Sequence, residues 1–553
     1  MTIGARYSGS YNWRTAPPAA PILGNTISNS QTIGVNGQLN FSTFYNKFPL
    51  LAKANQGKAP KPKKKAVDDD DVSAAPKKGD KKKEIELSGA GRFVLKFLTM
   101  AKQFQLDVNS TNGTTLPGYR RGINYLGMNH ENQTPGFKFL AGFQDKNIRY
   151  DLARGGHLSE NPLQISRFMQ LNALELKGQG TIEPFDGFRI LINFERRFSN
   201  TTSSVFRYDT NANNFFDESY MEAGAFNIST NTWRTAFEKY DKNFKSDAFN
   251  QFQQNRKIIA SRVQEQELNS EVWRSRNYND SIGIIDPLTR YPVGIDSNHQ
   301  DVLMYSFLSA YQGKDAGSYK LDRFPLIPIP SWRITWSGLS NLELVKKLFT
   351  NITLSHSYSS NTSISNFSTS ANYGIDTLQY GENLQPKYQF NSISIIERFS
   401  PLIKVDVTLK SGLTFNFELK TDRSLNLSTS FLINEIHNKE YVFGTGFRKS
   451  GVVLPFKING RKPLLKNDLD FRFDFSIRDG YTITRNINAA SYPPPSANAG
   501  MKSISIRPTL NYQITDNLNF RAFYNRNVNK PRTSQSFPTA LTNFGISLRY
   551  TLQ

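Results

Sequence analysis

The last eleven residues, 543–553, alternate strictly between apolar and polar or small side chains. Because successive side chains of a β-strand point to opposite faces, this segment predicts a strand with one apolar and one polar face. A half-buried strand of a soluble sandwich has the same alternation, but this segment also has the ~9–11 residues that a tilted strand needs to cross a bilayer. The aromatic residues near its end favour the membrane-spanning alternative. Its apolar side chains are those of Phe544, Ile546, Leu548, Tyr550 and Leu552.

The same two-residue period recurs along the chain. We predict from it a strand at 3–13, a strand at 33–45, a hairpin at 413–433 that turns at 421–423, and a hairpin at 504–524 that turns at 516–517. Each of these segments again separates apolar from polar side chains. The architecture predicted by this repetition is an antiparallel sheet with two different faces.

Residues 469–477 show the pattern most clearly, because apolar side chains at every second position alternate with charged side chains and one serine. A soluble core does not accommodate so many polar side chains on its second face. We therefore predict an all-β fold, a transmembrane antiparallel β-barrel in which the polar face lines the lumen. The candidate lumen-lining residues are Arg6, Asn12, Asn36, Gln38, Asn40, Asp470, Arg472, Asp474 and Arg478.

Composition agrees with spans made of strands. Only 38% of the residues are hydrophobic while 13% are aromatic, and the mean hydropathy is −0.50. No run approaches the length of a transmembrane helix, so any membrane span must consist of strands. Barrels carry aromatic girdles at both membrane interfaces, which would account for the many Phe and Tyr residues.

The formal charge of +22 and the pI near 9.7 raise the alternative of a nucleic-acid-binding protein. Most basic residues, however, alternate with aromatic ones on strands instead of forming one stripe. The densest cluster, residues 61–83, mixes Lys with Asp and contains Pro and Ala, so we predict a disordered loop over about residues 54–90. We expect no nucleic-acid partner, and a basic outer surface would meet lipid or lipopolysaccharide.

Enzymatic chemistry finds little support in the sequence. The chain has no cysteine and five scattered His residues, and it lacks the motifs of serine hydrolases, zinc proteases, phosphate loops and dinucleotide-binding folds. We expect no catalytic residues, no metal site and no cofactor.

Two segments break the strand period. Aromatic and aliphatic residues spaced three and four apart predict an amphipathic helix over residues 232–263, capped by Asn231 or Thr232. It would lie with the apolar stretch 302–311 in an insertion over residues 213–322, either a folded loop domain on the barrel end or a gate or docking surface. The second break is a capping box at residues 340–343 that opens a short helix.

The start at Met1-Thr2-Ile3, directly before a strand and without a secretory signal, leads us to expect the C-terminal portion of a longer protein. The predicted organisation is barrel strands at 1–212, the insertion at 213–322, and barrel strands at 323–553 that end in the membrane-insertion strand.

Several blocks, taken in order, resemble one known family. They include a Pro-rich block with Pro328 and Pro330 that runs into Trp332-Arg333-Ile334-Thr335, and the block Glu397-Arg398-Phe399-Ser400-Pro401. Further matches are residues 114–118, 135–136, 249–262 and 536–545. This series resembles the SprA (Sov) family, the outer-membrane translocon of the type IX secretion system in Bacteroidetes.

The resemblance implies a very large single-chain barrel that exports folded cargo proteins with a C-terminal signal domain and serves gliding motility in gliding species. It also implies several partners: a smaller outer-membrane barrel that collects cargo, a periplasmic plug protein and, indirectly, a motor complex of the inner membrane. A porin or receptor barrel for small solutes remains an alternative. A surface adhesin is a third possibility, because residues 361–372 are rich in Asn, Ser and Thr.

Overall fold

A computed structural model describes residues 1–49, 51–52, 95–241, 244–269, 284–371, 373, 383–453, 464–465, 467–488, 497–532 and 536–551. The predicted disordered loop at about 54–90, with the charged run 61–83, therefore lies outside the described residues, as does Leu552. The strands are β1 (Thr2–Arg14), β2 (Asn25–Asn40), β3 (Ala101–Tyr119), β4 (Arg167–Phe185), β5 (Phe188–Asp209), β6 (Asn214–Ser229), β7 (Ser331–Trp336), β8 (Phe349–Thr369), β9 (Tyr388–Gln389), β10 (Ser392–Leu409), β11 (Leu413–Ser428), β12 (Leu432–Lys449), β13 (Val452–Val453), β14 (Leu464–Leu465), β15 (Leu469–Asn486), β16 (Ala497–Thr515), β17 (Leu518–Pro531) and β18 (Thr539–Tyr550).

The helices with described bounds are α1 (Phe41–Tyr45), α2 (Phe137–Leu140), α3 (Ile148–Arg154), α4 (Asp247–Leu268), α5 (Gln300–Tyr311) and α6 (Glu343–Leu348). All of them are short except α4 and α5. Single turns of 3₁₀ helix lie at Pro21–Leu23, Tyr125–Gly127, Trp233–Thr235 and Gly338–Asn341.

Within the described ranges, nearly all strands belong to one antiparallel sheet of sixteen strands, in which most neighbours along the chain are also neighbours in space. Among the described residues, β1 and β18 are its two edges. Short turns join β4 to β5, β10 to β11 and β16 to β17 at one end of the sheet. Gly187 and Gly412 have positive φ values of 78° and 84° in the first two of these turns, a conformation that glycine adopts without strain.

One strand position is built from two separate segments. Strand β6 pairs with the C-terminal part of β5, from Arg196 onward. Strand β7 pairs with the N-terminal part of β5, up to Asn193. Both segments also pair with β8. Residues 230–330 therefore leave the sheet in the middle of a strand position and return to the same place.

The prediction of an insertion at 213–322 is thus wrong at its start and slightly short at its end. Residues 214–229 form β6 and stay in the sheet. The backbone N–H of Ile329 donates to the carbonyl of Ser229 at 2.9 Å, which closes the base of the insertion.

Residues 230–330 contain α4 and α5, which pack on one face of the sheet; we call these residues the helical lobe. Its core includes Phe252, Ile259, Val302 and Phe307, all fully or almost fully buried. The sheet contributes apolar side chains from five strands to the same core: Phe226, Ile228, Ile364, Ile393, Ile395, Leu425, Leu427 and Ile433.

A smaller cluster of buried apolar residues lies on the same face of the sheet, towards its β1 edge. Helices α2 and α3 bury Phe139, Ile148 and Leu152 against the sheet. Their sheet partners are Ile27, Leu116, Tyr119, Phe168 and Phe206.

The predicted hairpin at 413–433 is wrong in its turn. Strand β11 runs through residues 421–423 without a break, and its pairing with β12 is regular from Leu413 to Leu427. The chain reverses at residues 429–431 instead. The polar residues 420–423 resemble a turn in sequence. They lie instead in the middle of β11, between its apolar first part and the part that contacts the helical lobe. The hairpin predicted at 504–524 is confirmed by β16 and β17.

Two further predictions of local structure need correction. The strand predicted at 33–45 ends at Asn40, whose side chain accepts a hydrogen bond from the backbone N–H of Thr43 and caps α1. The capping box at 340–343 does not form, although the short helix does as α6. The hydroxyl of Ser340 instead accepts a hydrogen bond from the backbone N–H of Ile352 at 2.8 Å.

Candidate functional site: a two-faced wall carrying a helical lobe

The strand register places all nine candidate lumen residues on one face of the sheet. Arg6 lies opposite Gly34, Asn12 opposite Ser28, and Asn36 opposite Gly4. Gln38 and Asn40 follow Asn36 at two-residue steps along β2, so they share its face. Asp470, Arg472, Asp474 and Arg478 of β15 lie on the same face when paired residues are followed across the sheet. We call this surface the polar face.

Opposite charges are paired along the polar face. Arg472 Nε lies 2.9 Å from Asp474 Oδ2, and Lys404 Nζ lies 2.9 Å from Asp406 Oδ2. Lys420 Nζ is 3.8 Å from Glu440 on the neighbouring strand. Exposed pairs of this kind add little stability, about 0–1 kcal/mol each. Their consequence is electrostatic, because this hydrated surface carries charges of both signs close together.

The opposite face carries a zone of exposed apolar side chains in the half of the strands away from the helical lobe. We call this zone the apolar band. Its exposed members include Ile3, Tyr7, Ile33, Val35, Leu174, Ile403, Phe415, Phe443, Phe544, Ile546, Leu548 and Tyr550. On β15 the band covers residues 469–477. At about 3.4 Å per residue and a tilt of roughly 40°, these nine residues span about 20–25 Å, close to the height of a barrel's lipid-facing zone.

The terminal strand belongs to the apolar band. Phe544, Ile546, Leu548 and Tyr550 lie opposite Tyr524, Ala522, Phe520 and Leu518 of β17, on one face of the sheet. Their side chains are 76%, 72%, 63% and 63% exposed. An exposed apolar surface on this scale marks an interaction with lipid or protein.

The helical lobe lies on the same face as the apolar band. On β11, Leu425 and Leu427 contact the lobe, whereas Phe415 and Phe417 belong to the band. These positions are an even number of residues apart on a strand without bulges, so they point to the same side. The lobe therefore does not cover the polar face at these strands.

Buried ion pairs join the lobe to the sheet. Arg485 Nε donates to Glu435 Oε1 at 2.7 Å, and Arg485 Nη1 donates to the carbonyl of Phe244 in the lobe at 2.8 Å. The hydroxyl of Tyr311 in α5 donates to Glu435 at 2.6 Å. These side chains are almost inaccessible to solvent. Because each charge is paired and hydrogen-bonded, the interface tolerates them, but removing one partner would leave a buried charge.

A second ion pair lies two strands away. Arg423 Nη2 is 3.3 Å from Glu397 Oε2, and Arg423 Nη1 donates to the carbonyl of Thr235 at 2.8 Å. The hydroxyl of Thr232 donates to the same Glu397 oxygen. The segment that leaves β6 is therefore held against the sheet by polar contacts from two neighbouring strands.

Sequence reasoning missed these four buried charged residues. A signal was present, because Arg423, Glu435 and Arg485 occupy positions where the two-residue period calls for apolar side chains. Glu397 likewise follows Ile393 and Ile395 in phase. At these four positions the charged residue on the apolar side of the alternation lies in a covered part of the strand.

The lobe has its own buried ion cluster. Arg323 Nη2 lies 2.6 Å from Asp301 and 3.2 Å from Glu267, which ties the return segment to α5 and α4. Burial alone would lower the pKa of the Arg323 guanidinium, but the charge of Asp301 outweighs it and raises that pKa. Burial lowers the pKa of His299 next to α5, which favours the neutral imidazole.

The predicted helix over 232–263 is confirmed only in its second half. Helix α4 begins at Asp247, and the hydroxyl of Ser246 caps it by accepting from the N–H of Phe249 at 3.0 Å. Upstream, apart from the single turn at Trp233–Thr235, the chain crosses the sheet. Four aromatic residues at helical spacing reach different strands instead. Trp233 contacts Trp332 of β7, Phe237 contacts Phe399 of β10, Tyr240 contacts His437 of β12, and Phe244 contacts Tyr481 of β15.

We call Trp233, Phe237, Tyr240 and Phe244 the aromatic strap. Its ring centroids lie 4.9–5.9 Å from those of its wall partners. The spacing of three and four residues arises here because the chain advances from strand to strand, perpendicular to the strand direction.

Three of the residues on which the predicted family resemblance rests, Trp332, Phe399 and Pro401, lie near this strap. Trp332 stacks on Tyr358 at 4.6 Å, and Tyr358 on Phe399 at 4.8 Å. Pro401 lies in the bulge of β10 between Phe399 and Ile403, where a residue without an N–H removes no ladder hydrogen bond.

The other signature residues lie at the base of the lobe. Pro328 and Pro330 belong to the segment that returns from the lobe to β7. Arg333 is on the polar face, where it lines a groove of about 600 Å³ together with Asp107, Lys177 and Glu195.

In the described part of the chain, no helix is long and apolar enough to span a membrane. The same residues contain no group of three His, Cys, Asp or Glu side chains that could hold a metal ion.

Comparison with known proteins gives little. No family model matches the chain, and no curated protein matches it. One of the solved structures that match is described as the structure of the RagAB peptide transporter, with a TM-score of 0.25 and 8% sequence identity. The match covers 94% of this chain but only 47% of the other, so the chain spans about half the length of the protein it matches. A similarity of this size carries no argument.

Substitutions of two neighbouring residues on opposite faces of β15 are expected to differ in their effect on assembly. Phe473→Arg places a charge in the apolar band and is expected to cost roughly 2–4 kcal/mol if the band meets lipid. Arg472→Ala on the polar face is the matched control and should barely change assembly, because this side chain is 66% exposed. The measurement is the membrane level of each variant of the complete protein. Equal levels would show that the faces are assigned wrongly or that this strand does not lie in the membrane.

Proposed function

We propose that this chain forms part of the wall of an outer-membrane β-barrel whose polar face lines an aqueous passage. The observation that carries the proposal is the consistent separation of faces across the sheet. Polar sets from β1, β2 and β15 share one face, while the exposed apolar band, including the terminal strand, occupies the other. A soluble sheet would have no reason to expose a band about 20–25 Å high.

We further propose that the passage conducts folded cargo proteins with a C-terminal signal domain to the cell surface. Two features favour this over a generic barrel. Of the residues that carry the family resemblance, Trp332 and Phe399 both contact Tyr358, and Pro401 lies two residues after Phe399, at the margin of the helical lobe. The paired charges of the polar face also suit diverse cargo, because a surface of one sign would hold proteins of the opposite sign.

In this proposal the partners are those of a type IX translocon. They are a smaller outer-membrane barrel that delivers cargo, a periplasmic plug protein and, indirectly, the inner-membrane motor complex. Lipid and lipopolysaccharide surround the wall, and gliding motility depends on the exported proteins in gliding species.

The stretch that motivated the adhesin alternative lies mostly in a strand of the sheet. Residues 361–369 of the Asn-, Ser- and Thr-rich stretch lie in β8, and Asn372 lies outside the described residues. The hydroxyls of Ser363 and Ser394 are 2.7 Å apart between β8 and β10. The polar repeat is therefore accounted for by pairing within the wall.

Conductance separates a protein-conducting channel from a small-solute porin. The complete protein, purified without its plug and inserted into a planar bilayer, is expected to conduct more than a sixteen-stranded porin. A conductance at or below the level of such porins would favour the porin alternative. Adding purified cargo to one side provides the control, because a cargo-sized passage should be blocked by folded cargo and not by a protein lacking the signal domain.

A further inference from the structure

The aromatic strap lies between the covered and the uncovered part of the same face. On one side of the strap the helical lobe covers the sheet, and on the other side the apolar band is exposed. Trp233 and Phe237 are 49% and 55% exposed although each packs one ring face on the wall. Large aromatic side chains in contact with both a protein wall and solvent are typical of the membrane–water interface.

The position of the strap relative to the band differs along its length. On β10 the strap contacts Phe399. Beyond the bulge, towards the turn to β11, the next residue on the same face of the sheet is Ile403 of the apolar band. On β12 and β15 the strap contacts His437 and Tyr481. The next pair on the same face, towards the apolar band, is Lys439 and Asp479, and the pair after it is Tyr441 and Ile477. A row of charged groups thus separates the strap from the band at Tyr240 and Phe244, but not at Phe237.

The smaller cluster repeats the arrangement near the other edge of the sheet. Phe143, which follows α2, is 54% exposed and lies 5.8 Å from the ring of Tyr7 in the band. The hydroxyl of Tyr7 donates to the carbonyl of Ala141 at 2.5 Å. Two independent insertions therefore place exposed aromatic rings at the margin of the same band.

We propose that the helical lobe rests on the outer surface of the bilayer, with Trp233 and Phe237 inserted among the lipid headgroups. The lobe lies at the end of the strands away from the short turns that join β4 to β5, β10 to β11 and β16 to β17, and outer-membrane barrels have their short turns in the periplasm. The occupant of this surface is lipid, because the strap is continuous with a band whose height fits a bilayer. The lobe would then lie outside the barrel wall as a membrane-seated collar, and it would not plug the passage. This inference rests on the proposed outer-membrane function.

Labelling at single cysteines tests the depth of the strap, because the chain contains no cysteine of its own. Trp233→Cys and Phe237→Cys are introduced into the complete protein, any cysteine elsewhere being replaced by serine, and are labelled with an environment-sensitive fluorophore. Phe443→Cys in the band is the lipid-facing reference, and Ser261→Cys on the exposed side of α4 is the aqueous reference. The protein is reconstituted in phosphatidylcholine vesicles that carry bromine either near the headgroup or near the acyl-chain end.

We expect the labels at residues 233 and 237 to lose fluorescence mainly with bromine near the headgroup. The label at residue 443 should lose it with both lipids, and the label at 261 only with aqueous iodide. Iodide quenching at 233 and 237 equal to that at 261, with lipid quenching kept at 443, would overturn the inference and leave the proposed function intact. Protection from both quenchers would also overturn it, since protein would then cover the strap.

Failure of the proposed function gives a different result. In that case the label at residue 443 is quenched by iodide and not by brominated lipid. If Trp233→Cys does not fold, Phe237→Cys decides the question alone, because Phe237 is the more exposed of the two side chains.

Discussion

Deleting residues 543–553 should abolish outer-membrane insertion and surface delivery of cargo together. The deletion removes most of β18 and with it Phe544, Ile546, Leu548 and Tyr550 from the apolar band. It also exposes the edge of β17, whose unpaired backbone groups cost several kcal/mol each in lipid. In the complete barrel, β18 would have to pair with another strand to remove the edge of the sheet. The measurement is the amount of protein in the outer membrane and the location of the cargo, which should accumulate in the periplasm.

Matched substitutions separate the role of the apolar side chains from that of chain length. Ile546→Arg with Leu548→Arg should reduce insertion nearly as much as the deletion. Ser547→Ala with Arg549→Ala changes the other face of the same strand and should leave insertion unchanged. Normal secretion by the deletion variant would contradict the terminal-strand assignment. Loss of insertion with cargo still reaching the surface would contradict the translocon proposal and favour a porin.

The face assignment could be read from the sequence because it depends on a local property. Alternation along β15 places Phe473 and Arg472 on opposite sides whatever the neighbouring strands are, and the register agrees with it. The same reasoning grouped Arg6 and Asn36 with Arg472, although only the pairing of successive strands brings them onto one continuous face. Period two is a property of the strand itself.

The parts that could not be predicted depend on contacts between distant segments. The aromatic strap has helical spacing but crosses the strands, because its rings reach Trp332, Phe399, His437 and Tyr481. No local pattern distinguishes a helix from a segment whose rings meet successive strands. That the lobe leaves and rejoins the sheet at one strand position likewise follows from the pairing of β6 and β7 with β5, which only the sheet register reveals.

Breaking the ion pair under the lobe should be the most destabilising single substitution in the lobe interface. Arg485→Met leaves Glu435 buried with the Tyr311 hydroxyl but without its cationic partner, and it also removes the hydrogen bond to the Phe244 carbonyl. Removing one partner of a buried pair costs about 3–5 kcal/mol. The expected result is a lobe that detaches and is cleaved by protease at the cell surface, while the strands remain in the membrane. Limited proteolysis of intact cells measures this directly.

The double substitution Arg485→Met with Glu435→Gln removes the uncompensated charge and should recover much of the protease resistance. Arg472→Ala, which breaks an exposed pair on the polar face, is the control and should change protease resistance little, because such pairs contribute about 0–1 kcal/mol. If the Arg485 variant were as resistant as the control, the lobe would be held by its apolar core alone, and Phe252 and Phe307 would then carry the attachment. If the double variant were no better than the single one, the hydrogen bond from Arg485 to the Phe244 carbonyl would be the contact that fixes the lobe to the wall.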